Sequence, residues 1–371
     1  MSDAPIQFAE LPALDGKLGR VTLNVPATLN SLTLEMVDLL QAQLDQWRDD
    51  PRLAAVFIEG AGDKAFCAGG DVLALHASAT ATPGGPCEYA ENFFAREYRM
   101  NYALHTYPKP ILCWGHGIVM GGGLGVMAGC SERVVTEATR IAMPEVTIAL
   151  FPDVGGSWFL NHMPGRSGHF LALTGASINA ADAIYTGLAD RFVATEYKDS
   201  VLASMLQQQW SIDDPAANRA LLRRVLRPFT EQSSGRCPAG QVEPHMSAIA
   251  RLCDGDDVHQ VIDNIITQQT DDQWLARAGG GLAHGSKLAA LWIERQLRET
   301  RHASLKEVFQ AEIQLVTNVV RHPEFAEGVR ALLVDKDRKP AWQFASSREV
   351  PPGLLDQFFT APWGENPLAN L

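Results

Sequence analysis

Apolar residues recur along this chain at two spacings, and the balance between them shifts near residue 200. Before that point, short alternating or wholly apolar runs predict strands at Val21 to Val25 (stopped by Pro26), Ala54 to Ile58, Lys109 to Trp114, Arg133 to Thr136 and Arg140 to Ala142. Helical spacing lies between them. Met36, Val37, Leu40, Leu44 and Trp47 predict a helix capped by Thr33, and Tyr89, Phe93, Phe94, Tyr98 and Leu104 predict another. Leu124 to Cys130 is apolar and small enough for a buried helix, and two more are predicted at Gly168 to Thr174 and Ala180 to Thr186, the latter stopped by Gly187. The Thr/Pro/Gly-rich stretch Ser78 to Pro86 predicts an exposed loop. From Val201 onward long helical patterns dominate: Ala216 to Leu226, Val258 to Gln268, Ser286 to Arg298 and Ser304 to Val320. The segment Gln232 to Pro244 and the glycine run Ala278 to Gly285 separate them, and a last helix follows Pro351-Pro352. The pattern is that of an α/β protein, with residues 1–200 as a strand-and-helix core and 201–371 as a mainly helical region. No internal repeat is visible.

Composition narrows the function. With 31 basic and 43 acidic side chains the net charge is −12, which argues against a nucleic-acid or anionic-membrane surface, since neither attracts surplus negative charge. The six cysteines form no Cys-x-x-Cys pair and most lie among apolar residues, so reduced thiols in a reducing compartment are expected. Met1 to Pro5 lacks a basic leader and no run of eighteen apolar residues occurs, which leads us to expect a cytoplasmic protein without membrane partners.

Candidate chemistry concentrates between His116 and Ser157. The turn Met120-Gly121-Gly122-Gly123-Leu124-Gly125 joins a predicted strand to a predicted helix, a join that aims backbone N–H groups and the positive end of a helix dipole outward. It matches neither a phosphate loop nor a dinucleotide fingerprint. Upstream, Lys64-Ala65-Phe66-Cys67-Ala68-Gly69-Gly70-Asp71 brings small residues and paired glycines. Taken singly, each glycine is explained by a turn or close packing. Together Gly70 and Gly122 form a natural pair of oxyanion-hole donors for a thioester or ester carbonyl. Glu145 and Asp153 each follow a proline in an apolar frame, where a carboxyl tends to have a raised pKa and can act as base or nucleophile; capping or ion pairing is the plainer alternative. Glu97 reads from periodicity as a solvated helix charge. His116 reads as a packed histidine, because no Gly-x-Ser-x-Gly elbow accompanies it, and no cluster has metal-ligand spacing.

These motifs resemble the enoyl-CoA hydratase/isomerase (crotonase) superfamily over nearly the whole chain: Asn24-Val25-Pro26 to Asn30-Ser31-Leu32, the Ala65 to Asp71 loop, the glycine turn, Met143-Pro144-Glu145 and Phe151-Pro152-Asp153-Val154-Gly155-Gly156. The Phe-Pro-Asp motif, Leu171 to Gly175 and the late Glu327 to Ala331 with Asp335-Lys336-Asp337 are similar to its acyl-CoA hydrolase branch. The resemblance implies a crotonase-like (ClpP/crotonase) ββα spiral core with nearly perpendicular sheets, then helices covering the acyl pocket and an assembly surface compatible with a homo-oligomer. It implies oxyanion amides on Gly70 and Gly122, substrate contacts from Glu97, Gly122, Glu145 and Asp153, catalysis by Glu145 and Asp153, and coenzyme A along Ala68, Gly69 and Gly70. No cofactor or metal is implied, coenzyme A being part of the substrate. Where hydratases of that superfamily carry a glutamate two residues after the third glycine, this chain has Gly125. That departure favours hydrolysis of a short-chain 3-hydroxyacyl-CoA thioester, with 3-hydroxyisobutyryl-CoA of valine catabolism as the first candidate. An enoyl-CoA isomerase, a hydratase or other short-chain thioesterase, and a non-catalytic CoA-binding scaffold are the alternatives.

Overall fold

The computed structural model describes residues 4–211 and 213–371. Met1 to Asp3, on which part of the leader reading rests, lie outside the described residues. Nine strands occur among the described residues: β1 (Ile6–Pro12), β2 (Lys17–Leu23), β3 (Leu53–Gly60), β4 (Ala65–Cys67), β5 (Ile111–Gly115), β6 (Ile118–Met120), β7 (Glu132–Val135), β8 (Arg140–Ala142) and β9 (Arg191–Phe192). They build a six-stranded sheet in the order β1-β2-β3-β5-β7-β9 and a three-stranded sheet in the order β4-β6-β8. β1 is antiparallel to β2, and the other described pairings are parallel. Successive strands alternate between the sheets: β3, β5 and β7 enter the large one, and β4, β6 and β8 enter the small one. A helical segment follows each pair, which is the ββα repeat.

Contacts divide the chain into two units that interleave in sequence. The first comprises Met1–Gly70, Ala103–Ile141 and Ile178–Gln241, and the second Asp71–Tyr102, Ala142–Ser177 and Val242–Leu371. Each draws on residues from both sides of position 200.

The first unit is organised by β3 and β5, whose residues are all buried. Parallel strands covered on both faces require continuous rather than alternating apolar character. Phe57, Trp114, Val134, Leu222 and Leu226 belong to one core cluster. Glu59 is the polar exception in β3, and Arg20 at 2.5 Å and Lys198 at 2.9 Å neutralise it. The Leu34–Asp49 helix buries Met36, Val37, Leu40, Leu44 and Trp47, and the Thr33 hydroxyl accepts from the Met36 amide at 3.2 Å. The strand β1 lies beyond the predicted set, because Glu10 falls on the face of Ile6 and Phe8 and Pro12 ends the run.

The second unit is mostly helical, and two expectations change in it. The Val72–Ala81 helix, capped by Asp71, runs through the first half of the predicted Ser78 to Pro86 loop. The glycine run is also helical as far as His284, the end of the helix Gln273–His284, with Gly285 as its cap. A Cβ on Gly279 would stand 2.7 Å from the Ile265 carbonyl oxygen and one on Gly281 2.6 Å from that of Thr174. These glycines therefore permit close backbone approach instead of ending the helix. Among the described residues no helix is long and apolar enough to cross a membrane.

Candidate active site

In the first unit the two glycine segments are neighbours. Asn30 ties the preceding turn to β4: its side-chain oxygen accepts from the Val25 amide at 2.9 Å, and its side-chain nitrogen donates to the carbonyls of Ala61 and Ala65, each at 3.0 Å. The Leu32 amide donates to Gly69 O at 2.8 Å and the Ala68 amide to Leu29 O at 3.0 Å. These two bonds tie Ala68 and Gly69 to the 29–32 turn, and a cavity of about 240 Å³ is lined by Pro26, Leu29, Lys64 and Ala65. Gly69 has φ +120°, and a Cβ there would lie 3.6 Å from Met120 O and 4.0 Å from the Gly122 nitrogen. Gly122 opens the wholly buried Gly122–Ala128 helix after Gly121 at φ +47°. Its amide is one of the first-turn donors that a helix leaves unpaired, and the Gly70 amide enters no backbone hydrogen bond among the described residues. Gly125 sits inside that helix and supplies no carboxyl. His116 is packed, as expected, with Nε2 2.8 Å from Gly62 O.

The second unit gathers the acids. Glu145 begins the short 3-10 helix Glu145–Ile148 after Pro144, and Ala149 at φ +51° turns the chain back so that the Leu150 amide donates to Glu145 O at 2.9 Å. Its carboxyl is 6 % exposed and Oε2 has no hydrogen-bond partner. Burial, and next the charge of Asp153, raise its pKa well above the ordinary carboxyl range. Asp153 accepts from the Tyr98 hydroxyl at 2.8 Å. Burial lifts its pKa to about 7, while the Tyr98 bond and its own backbone amide pull the other way. Glu97 corrects the expectation of a solvated charge: it is 2 % exposed, its Oε1 has no partner, and burial and then Asp153 raise its pKa strongly. The reason is its position on the inner face of the Glu88–His105 helix with Phe93, Phe94 and Tyr98.

Two members of this cluster escape the motif reading. In the sequence Tyr98 is only an apolar helix position. Glu312, in the Leu305–Arg321 helix, is fully buried: Oε2 accepts from the Gly155 amide at 2.7 Å and Oε1 from the Ser157 amide at 2.9 Å. Desolvation outweighs those two bonds and raises its pKa to about 8. The signal is present in both cases as a polar group within an apolar stripe: Glu312 lies among Val308, Phe309, Ile313, Leu315 and Val316. Buried acids without cations cannot all ionise together, so the cluster holds protons near neutrality. The tyrosine hydroxyl from which Asp153 accepts favours its ionised form.

The ββα repeat, with strands alternating between two sheets and the two glycine segments side by side in the first unit, is that of an acyl-CoA enzyme scaffold, and the chain belongs to the enoyl-CoA hydratase/isomerase family, whose model matches residues 18–359. Among characterised relatives it is 36% identical over 348 residues to the mitochondrial 3-hydroxyisobutyryl-CoA hydrolase of Danio rerio, covering 93% of this chain and 88% of that one. It is likewise 36% identical over 346 residues to that of Homo sapiens, covering 93% and 86%. Of solved structures, a carnitinyl-CoA dehydratase from Mycobacterium thermoresistibile matches with a TM-score of 0.85 at 32% identity, covering 98% of each chain. The crotonase-like fold is therefore shown.

Proposed function

We propose that this chain hydrolyses the thioester of a short-chain 3-hydroxyacyl-CoA, with 3-hydroxyisobutyryl-CoA the first substrate to test. The observation that carries this reading is the pair of buried carboxyls Glu145 and Asp153, one strongly held in the neutral form and the other poised near neutrality on the Tyr98 hydroxyl. The names of the two relatives, aligned over nine-tenths of this chain, favour the same substrate. Gly125 argues against water addition, which in this family uses a second glutamate at that place.

In this reading the amides of Gly70 and Gly122 stabilise the oxyanion. Glu145 in its carboxylate form either attacks the carbonyl, giving a mixed anhydride that a water then hydrolyses to the free acid and the regenerated carboxylate, or takes a proton from the water that attacks directly; in both the carbon–sulfur bond breaks and the departing thiolate takes up a proton to leave as coenzyme A. Asp153 holds the 3-hydroxyl and assists that transfer, and Glu97 contacts the acyl group. Ala68, Gly69 and Gly70 line the coenzyme A path, and no separate cofactor enters. The six cysteines form no disulfide among the described residues, which accords with a reducing compartment, and a cytoplasmic site is part of this reading.

The test is thiol release from 3-hydroxyisobutyryl-CoA, 3-hydroxypropionyl-CoA and crotonyl-CoA. Release from the hydroxylated pair and its loss in Glu145→Gln are expected. Absence of thiol from all three, or wild-type turnover by Glu145→Gln, overturns the assignment.

A further inference from the structure

The turn after Asp153 is built from conformations that do not hold themselves. Val154, a β-branched residue, has φ +53° and Gly155 has φ +84°. A left-handed valine is costly and persists only where surrounding structure imposes it. One helix imposes it. Glu312 spans the turn with both carboxyl oxygens, accepting from Gly155 at 2.7 Å and Ser157 at 2.9 Å. One helical turn earlier, Phe309 lies where a Cβ on Gly155 would stand 3.1 Å from its ring edge. The same Phe309 ring packs against Tyr98 with centroids 5.9 Å apart, and Tyr98 donates to Asp153 at 2.8 Å. The Leu305–Arg321 helix therefore reaches Asp153 by two routes, through the backbone that follows it and through the hydroxyl that binds its carboxyl.

We propose that Glu312 is a positioning residue for Asp153: by gripping the Gly155 and Ser157 amides it fixes the Asp153 carboxyl where it can select the 3-hydroxyl of the acyl group. This rests on the hydrolase reading for what Asp153 recognises. Glu312 itself lies behind the turn, bonded to backbone, and is assigned no contact with substrate. An acid buried among apolar residues is a poor choice for packing alone, since an apolar residue of similar size would avoid its desolvation. A bidentate acceptor for two adjacent amides is a task that an apolar residue cannot perform.

The experiment compares 3-hydroxyisobutyryl-CoA with isobutyryl-CoA, which lacks the hydroxyl, in the full chain and in Glu312→Gln, Asp153→Asn and the double variant. Glutamine retains the volume but presents one acceptor oxygen. Glu312→Gln is expected to lower kcat/KM on the hydroxylated substrate at least tenfold and to shrink the preference for it over isobutyryl-CoA by a similar factor. In the double variant the loss should be no greater than in Asp153→Asn alone, because both act through one carboxyl. Glu312→Asp, which keeps both acceptors on a shorter arm, serves if the glutamine variant does not fold, and should keep part of the preference. An unchanged hydroxyl preference in a folded Glu312 variant, or losses that multiply with those of Asp153→Asn, overturns the proposal. If the wild-type chain releases no thiol, the hydrolase reading fails separately. The same comparison is then made on the calorimetric affinities of the two thioesters, where a hydroxyl preference that Glu312→Gln leaves intact again overturns it.

Discussion

Replacing Gly123 by alanine tests the glycine segments most directly. A Cβ at this position would stand 2.2 Å from the Cys67 carbonyl oxygen and 2.7 Å from the Cys67 Cβ, whereas ordinary contact begins near 3.4 Å. Neither neighbour can swing aside, since one is backbone and the other is fixed to it. The start of the Gly122–Ala128 helix must therefore move from β4 by about 1 Å, the shortfall between these distances. A displacement of that size in reacting geometry lowers rates by about a hundredfold, and overpacking of this kind costs about 1–3 kcal/mol. Gly70 follows Cys67 by three residues and Gly122 precedes Gly123 by one, so the shift falls on the spacing of the two proposed donors. Thiol-release kinetics with a urea melt read both effects, and kcat should fall more than stability alone explains. Gly280→Ala is the control: it lies inside a helix with nothing within 4 Å of its Cβ. There alanine should leave turnover unchanged and stabilise by up to about 1 kcal/mol. Wild-type turnover by Gly123→Ala would refute the pairing of Gly70 with Gly122.

Three further outcomes follow from the acids. Glu312 and Asp153 have folded pKa values near 8 and 7, above their ordinary 4.5 and 3.8, so the folded state binds the extra protons and stability falls as pH rises between those limits. His105 and His169, lowered to about 4, act in the opposite sense only below pH 6.5. The urea midpoint should therefore drop from pH 6.5 to 8, unfolding free energy falling by about 1.4 kcal/mol per pH unit for each group that is protonated only in the folded state; a rise would contradict the protonation assigned to these acids. Asp153→Asn removes a charge that raises Glu145, so the acidic limb of the remaining activity should move to lower pH in a pH–rate profile. Tyr98→Phe removes a donor that favours ionised Asp153, so the Asp153 pKa, followed by carboxyl infrared bands, should rise above about 7.

Much of this is legible in the sequence because local rules and tertiary demands agree. Thr33 and the five apolar residues after it specify their helix alone, and the unbroken apolar run Leu53 to Ile58 of β3 could only be buried. The acids at 145 and 153 stand out because each follows a proline in an apolar run. Sequence fails where a residue serves a neighbour distant in the chain. Gly279 and Gly281 resemble a break until the Ile265 and Thr174 carbonyls that need their missing side chains are in view. Glu97 and Glu312 follow helical spacing, yet only three-dimensional packing turns them inward. The grip of Glu312 on Gly155 joins residues 157 positions apart, which no local window contains.

The interleaving of the two units also has a consequence for synthesis on the ribosome. Gln241 closes the last segment of the first unit, so every residue of that unit has been made while 130 residues of the second are still to come. Asp153 emerges early, but the carboxyl that grips its turn lies at 312, and contacts that close such long loops form late. Until residue 312 has left the ribosome, the turn that holds Val154 at φ +53° lacks the carboxyl that accepts from its Gly155 and Ser157 amides. A chain that stops short of residue 312 thus carries both acids without the carboxyl that grips the turn after Asp153.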